Sequence, residues 1–104
     1  MKYTFINKSE LENKCIVPFT ENVLRRSKIK TNNPVIIEDW DLDRVYLTID
    51  GQDYDIRMWD IWETKKQLNF RWTLFTWLNG ETSGTDLNEG YTRFKFEDIK
   101  KFEG

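Results

Sequence analysis

Hydrophobic and polar residues alternate with a period of two along most of the chain after residue 35. The alternation is clearest at Val45, Leu47 and Ile49, and Asp50-Gly51 follows directly. This dipeptide favours a two-residue hairpin turn because both positions tolerate a positive φ. The pattern therefore predicts a β-hairpin with a defined register, in which the pairs are Ile49 with Gln52, Leu47 with Tyr54 and Val45 with Ile56.

The two faces of this hairpin differ in chemistry. One face is apolar and is expected to lie in the core; it collects Val45, Leu47, Ile49, Tyr54, Ile56 and Met58. The other face mixes aromatic and charged side chains, namely Tyr46, Thr48, Asp53, Asp55, Arg57 and Trp59.

Two later segments, 69–78 and 91–96, also alternate and predict further strands. In segment 69–78 both alternating sets contain large aromatic residues, so neither set is plainly the solvent side. The intervening segment 79–90 contains three glycines and one large apolar residue, Leu87, which predicts a long loop of the kind that often carries function.

The N-terminal third has a helical pattern after a short strand at residues 2–6. Ser9 and Glu12 have the spacing of a helix-capping box, and apolar residues then recur at helical spacing up to Ile29. Pro18 either interrupts this helix or opens a second one. With 104 residues in total, the chain suits a single domain, 1–104. The predicted fold is α+β, with an antiparallel sheet of four to five strands and one or two N-terminal helices packed on one face.

Charge is unevenly distributed along the chain. Lys and Arg total 16 against 18 Asp and Glu, giving a net charge of −2, which argues against a generally basic nucleic-acid or membrane-surface binder. Residues 31–63, however, hold nine acidic and two basic side chains and form an acidic block. This block has three interpretations: a solvated surface, a mimic of nucleic-acid phosphates, or a divalent-cation site.

Several kinds of chemistry are excluded or weakened by the residues themselves. The chain has no histidine and one cysteine, Cys15, which excludes Ser-His-Asp and Cys-His catalysis and an internal disulfide, and we expect Cys15 to act as a small hydrophobe. Asp39, Asp41 and Asp43 match the start of a calcium-binding loop, but the sixth position is Arg44 where the loop needs glycine. No cofactor is predicted. The chain shows no signal peptide and no apolar run of membrane-spanning length, so we expect a cytoplasmic protein without membrane association.

The mixed second face is the strongest candidate site, because Trp, Tyr and Arg are enriched in the hot spots of protein interfaces. Its predicted partner-binding residues are Tyr46, Asp53, Asp55, Arg57, Trp59, Arg71, Phe75 and Trp77. The alternative is that the sheet curls into a barrel, or that the loop and termini cover these rings and make them a second core layer.

Acidic and aromatic side chains on a small domain favour a non-enzymatic protein-binding module. We expect a stoichiometric inhibitor of the toxin-immunity or anti-defence kind, whose protein partner is a basic effector that handles nucleic acid. Homodimerisation through the aromatic residues is compatible with this function.

Two other functions stay open as alternatives. Asp50 or Asp53 followed by Glu63 and Lys65 loosely resembles the acidic-then-E-x-K arrangement of metal-dependent nucleases of the restriction type. Arg71, Arg93 and Lys95 beside aromatic rings would suit a small β domain that binds single-stranded nucleic acid, although the carboxylates of Asp53 and Asp55 oppose direct binding.

Overall fold

A computed structural model describes residues 3–8, 16–41, 43–77 and 85–95. Within these ranges the chain forms one six-stranded sheet and one helix, which confirms the α+β class. The elements in chain order are β1 (Phe5–Asn7), α1 (Ile16–Arg26), β2 (Val35–Trp40), β3 (Arg44–Ile49), β4 (Gln52–Glu63), β5 (Gln67–Thr76) and β6 (Thr85–Lys95).

The sheet is mixed and has more strands than the predicted four to five. The spatial order is the sequence order, β1 to β6, and every neighbouring pair is antiparallel except β1 and β2, which are parallel. The parallel pair has a simple cause: α1 lies between the two strands in the chain, and a connection that contains a helix can bring the chain back in the same direction.

One helix is present among the described residues, and the predicted capping box at Ser9 lies outside them. Pro18 lies in the first turn of α1, where the missing N–H of proline is tolerated, so it belongs to the start of this helix. The helix ends at Arg26. Lys28 has a φ of 57° and the Ile29 N–H donates to the carbonyl of Leu24 at 3.1 Å, an arrangement that ends many helices.

The predicted hairpin is confirmed residue by residue. Val45 lies opposite Ile56, Leu47 opposite Tyr54 and Ile49 opposite Gln52. Asp50 and Gly51 both have a positive φ, 52° and 77°, as a two-residue hairpin turn requires.

The core lies between α1 and one face of the sheet. The Phe19 ring of the helix contacts Phe70 of β5, with ring centroids 5.3 Å apart. Beside this contact the indole of Trp72 donates to the Thr92 hydroxyl at 2.8 Å, and Thr92 donates to the Asn22 side chain of α1 at 2.7 Å. Buried aliphatic side chains from β2, β3 and β4 complete this layer, namely Val35, Ile37, Val45, Leu47, Ile49 and Ile56.

Part of the predicted 79–90 loop is in fact strand. Residues 85–90 belong to β6 and pair with β5, while residues 78–84 lie outside the described residues. Cross-strand pairing overrides the turn-like composition here, with one irregularity at Leu87. Gly90 serves packing, because a Cβ at this position would lie 3.0 Å from the ring of the buried Trp72.

Strand lengths differ across the sheet. β4, β5 and β6 contain 10 to 12 residues each, whereas β1, β2 and β3 contain 3 to 6. The distal half of β4, beyond a bulge at Trp59, therefore continues past the start of β3.

Candidate protein-binding face

Cross-strand pairs show which side chains share the sheet face that α1 does not contact. Asp55 lies opposite both Tyr46 and Phe75, and Arg57 lies opposite Thr73, so these side chains point to one side. We call this side the aromatic face. Its aromatic and arginine members are Arg44, Tyr46, Arg57, Trp59, Trp62, Arg71, Phe75, Tyr91 and Arg93.

The bulge places Trp59 on this face. Its indole N–H donates to the Thr73 hydroxyl at 2.7 Å, which fixes the ring above β5. Trp62 and Tyr91 contact each other edge to face across β5, with ring centroids 6.0 Å apart. This is a favourable geometry for an aromatic pair.

The aromatic face is open to solvent in the described part of the chain. Trp59 is 54% exposed, Tyr91 is 50% exposed and Trp62 is 39% exposed. Tyr46 and Phe75 are half-buried, as is Trp77, which directly follows β5. Within the described ranges the rings of Trp59, Trp62 and Tyr91 are therefore not covered as a second core layer. Residues 1–2, 78–84 and 96–104, which belong to the termini and the loop of that alternative, lie outside the described residues.

Asp55 occupies the centre of the face but is itself fully buried. Its Oδ2 lies 3.4 Å from Nε of Arg57 and 3.9 Å from Nε of Arg44. Its Oδ1 finds no hydrogen-bond donor among the described residues. Burial raises the pKa of Asp55, and the hydrogen bond from Arg57 and the charge of Arg44 oppose this rise in part. Asp55 thus lies too deep to contact a partner and instead positions two arginines.

Those two arginines have additional contacts. The guanidinium of Arg57 lies over the ring of Phe75, 4.9 Å from its centroid, in a cation–π arrangement. Arg44 donates to the Tyr46 hydroxyl at 3.0 Å, a bond that raises the pKa of the guanidinium. The buried carboxylate and the two aromatic rings together hold both guanidinium groups close to the sheet.

A shallow depression of about 340 Å³ lies beside Trp59. Two of its lining residues are aromatic, three are charged and one is a neutral threonine: Trp59, Arg71, Thr73, Phe75, Asp86 and Glu89. Arg71 also lies 3.8 Å from the Asp60 carboxylate in an exposed ion pair. An inserted side chain would meet apolar surface together with groups of both charges.

Most carboxylates of the acidic block are exposed, and Asp39 and Asp53 lie on the aromatic face opposite Tyr46 and Thr48. Six of its carboxylates are exposed and form no ion pair with any residue in the described ranges: Asp39, Asp41, Asp43, Asp50, Asp53 and Glu63. Asp53 accepts a hydrogen bond from Thr48 at 3.3 Å. Asp41 accepts from the backbone N–H groups of Asp43 and Arg44 and so stabilises the turn before β3.

The residues of the nuclease alternative are not brought together. Asp53 and Glu63 lie near opposite ends of β4, which separates them by roughly 30 Å at the rise of a β-strand. Asp50 lies in the turn before β4 and Lys65 in the turn after it. Among the described residues, no group of three or more Asp, Glu or Cys side chains is arranged to hold a metal ion.

The basic residues of the nucleic-acid alternative do share the aromatic face. Arg93 lies opposite Asn69, and Arg71 lies opposite Tyr91. Carboxylates nevertheless interrupt this set, because Asp60 pairs with Arg71 and Glu89 lies opposite Thr73 on the same face.

Trp62 is the member of the site that the sequence pattern misses. Alternation from Trp59 would put Ile61 on the aromatic face, but the bulge adds one residue and moves Trp62 there instead. The sequence contains no clear signal for this bulge.

Comparison of the chain with protein-family models, curated proteins and solved structures finds no match. In the described ranges no helix is both long and apolar enough to cross a membrane.

Proposed function

We propose that this chain is a non-enzymatic protein-binding module that acts as a stoichiometric inhibitor, of the toxin-immunity or anti-defence kind. Its partner in this proposal is a basic effector that handles nucleic acid. The observation that carries the proposal is Trp59, which is 54% exposed and yet held in place by its hydrogen bond to Thr73.

Energetic considerations support an interface at this position. Large exposed apolar patches are uncommon on monomeric proteins, and Trp, Tyr and Arg dominate the binding energy of many interfaces. Here two exposed tryptophans, an exposed tyrosine and an arginine held over Phe75 lie within one sheet face. A side chain entering the depression beside Trp59 would contact the rings of Trp59 and Phe75 and the guanidinium of Arg71.

The charge distribution supports a basic partner. Exposed carboxylates that form no ion pair with a described residue lie on β2, in the turns and on β4. Such carboxylates accelerate the approach of a cationic surface and disfavour the approach of nucleic acid itself. We therefore expect an association rate that falls with increasing salt.

The test is affinity capture from cells of the source organism, followed by reconstitution with the purified candidate. The wild type and Ile6→Ala should retain the same partner, since Ile6 is 46% exposed but lies three strands away on β1. Trp59→Ala should lose it, with affinity reduced by about 30-fold or more if Trp59 is a hot spot.

The reconstituted complex must also show inhibition. One equivalent of the wild-type chain should abolish the effector's nucleic-acid activity, and Trp59→Ala should require a large excess. Equal affinity of the wild type and Trp59→Ala would refute the assigned face. Tight binding of a single-stranded oligonucleotide at physiological salt, reduced by Arg71→Ala, would favour the nucleic-acid alternative instead.

A further inference from the structure

The distal half of β4 is an open strand edge. On the side of β4 that pairs with β3, the last backbone hydrogen bond joins the Met58 N–H to the carbonyl of Asp43, the residue before β3, at 2.8 Å. The Asp41 carboxylate accepts the N–H of Asp43, so pairing stops at this turn. From Trp59 to Glu63, β4 therefore pairs with β5 alone among the described residues.

The hydrogen-bond pattern identifies the free backbone groups. Thr64 donates to the carbonyl of Gln67 at 2.9 Å, which makes these two residues a hydrogen-bonded pair. Bonded pairs alternate in an antiparallel ladder, so the next ones are Trp62 with Asn69 and Asp60 with Arg71. The N–H and C=O groups of Ile61 and Glu63 consequently point away from β5, toward the open side.

Such an edge is a template for another strand. Its side chains are exposed on both faces, with Ile61 47% and Trp62 39% accessible. The outer edge of β6 is less suited to pairing, because Arg26 already donates to the carbonyl of Tyr91 and a bulge at Leu87 interrupts the strand. The other edge strand, β1, contains only three residues, which is short for pairing with another strand.

We propose that the occupant of this edge is a second copy of the chain, paired antiparallel about a two-fold axis at Trp62. In this register Ile61 of each copy lies opposite Glu63 of the other, and each such pair exchanges both of its hydrogen bonds. The two Trp62 residues face each other as a non-hydrogen-bonded pair, which brings their indoles together on the aromatic face.

Steric and charge constraints select this register. An axis at Glu63 would place two carboxylates directly opposite each other, which is unfavourable. A two-fold axis at Ile61 would make the turn that contains Lys65 clash with Asp43 of the second copy, the residue that precedes β3 and is hydrogen-bonded to Met58. The register centred on Trp62 avoids both problems.

Charge complementarity supports a second copy as the occupant. The tip of the β4–β5 hairpin carries Lys65 and Lys66, which are exposed and have no ion-pair partner in the described part of the chain. In the proposed register this tip reaches Asp41 and Asp43 of the second copy, two exposed carboxylates that form no ion pair with any described residue of their own chain. The two contacts are equivalent by symmetry.

Sedimentation equilibrium tests the dimer directly. The wild type and Ile61→Thr should form dimers, because threonine keeps the edge-directed N–H. Ile61→Pro removes that N–H without removing a bond to β5, a position where strands tolerate proline. Loss of one bond per copy should weaken dimerisation by about 30-fold.

A cross-linking experiment supplies a second test that does not depend on proline. In a Cys15→Ser background, Trp62→Cys should form an intermolecular disulfide, because Cα atoms of a non-bonded pair lie about 4.5 Å apart. Tyr91→Cys is the matched control, since it lies on the same face but away from the edge and should remain reduced.

A wild-type chain that remains monomeric at high concentration would overturn the proposal, as would equal disulfide formation in both cysteine variants. This outcome is separate from the fate of the proposed inhibitor function. Ile61→Pro tests the edge without changing Trp59, whereas Trp59→Ala tests the partner-binding face without changing the edge-directed groups.

Discussion

Replacing Thr92 by valine should destabilise the protein far more than the same replacement at Thr73. Each threonine hydroxyl accepts a hydrogen bond from an indole N–H, that of Trp72 for Thr92 at 2.8 Å and that of Trp59 for Thr73 at 2.7 Å. Both threonines are buried, and valine has nearly the same shape, so neither change leaves a cavity. The difference lies in the tryptophans, because Trp72 is fully buried and Trp59 is more than half exposed.

The expected magnitudes follow from what each indole can do after the change. The N–H of Trp72 would be left without an acceptor in the core, which costs about 1–3 kcal/mol. Thr92→Val also removes the bond to Asn22, which adds about 0.5–1.5 kcal/mol, so a total loss of about 1.5–4.5 kcal/mol is expected. The N–H of Trp59 can bond to water, and Thr73→Val should cost about 0.5 kcal/mol or less.

Urea denaturation followed by tryptophan fluorescence measures both losses. With a urea dependence of about 1–3 kcal/mol per molar for a small domain, Thr92→Val should lower the midpoint by about 0.5 M or more. Thr73→Val should stay close to the wild type. Similar midpoints for the two variants would refute the reasoning, since burial of the indole donor would then not determine the cost of its lost bond.

Three further changes have defined outcomes. Because burial raises the pKa of Asp55, its contribution to the free energy of unfolding falls as pH rises from the unfolded pKa of 3.8 through the folded pKa. Asp55→Asn should remove this pH dependence in urea titrations at a series of pH values, and an unchanged pH dependence would contradict the assignment. Gly90→Ala places a Cβ 3.0 Å from Trp72 and should cost about 1–3 kcal/mol, measured as a lower thermal midpoint, whereas no loss would mean that the indole can shift freely. Gly51→Ala forces a φ of 77° on alanine and should cost about 1 kcal/mol in the same assay, while a stabilised variant would argue against this turn.

The sequence pattern was sufficient for the parts of the fold that local rules determine. Asp50-Gly51 and the alternation around it specified the central hairpin and its register, and the same alternation placed Tyr46, Arg57 and Phe75 on one face. These features were predictable because turn chemistry and side-chain periodicity act over only a few residues.

Other features depend on partners that are distant in the sequence. The bulge at Trp59 reverses the alternation and moves Trp62 to the aromatic face. Residues 85–90 form a strand because they pair with β5, which precedes them in the sheet. Asp55 also lies opposite Phe75 of β5, and strands on both sides of β4 favour its burial. A single sequence contains no local signal for any of these contacts.

The buried carboxylate beneath Arg57 has a consequence for the speed and selectivity of recognition. Long side chains lose conformational entropy when a complex forms, and this entropy loss opposes association. Arg57 is already confined by Asp55 on one side and Phe75 on the other, so that freedom is largely lost during folding. A partner that docked on this face would therefore meet a guanidinium of restricted orientation, which favours a correctly placed carbonyl or carboxylate over other groups.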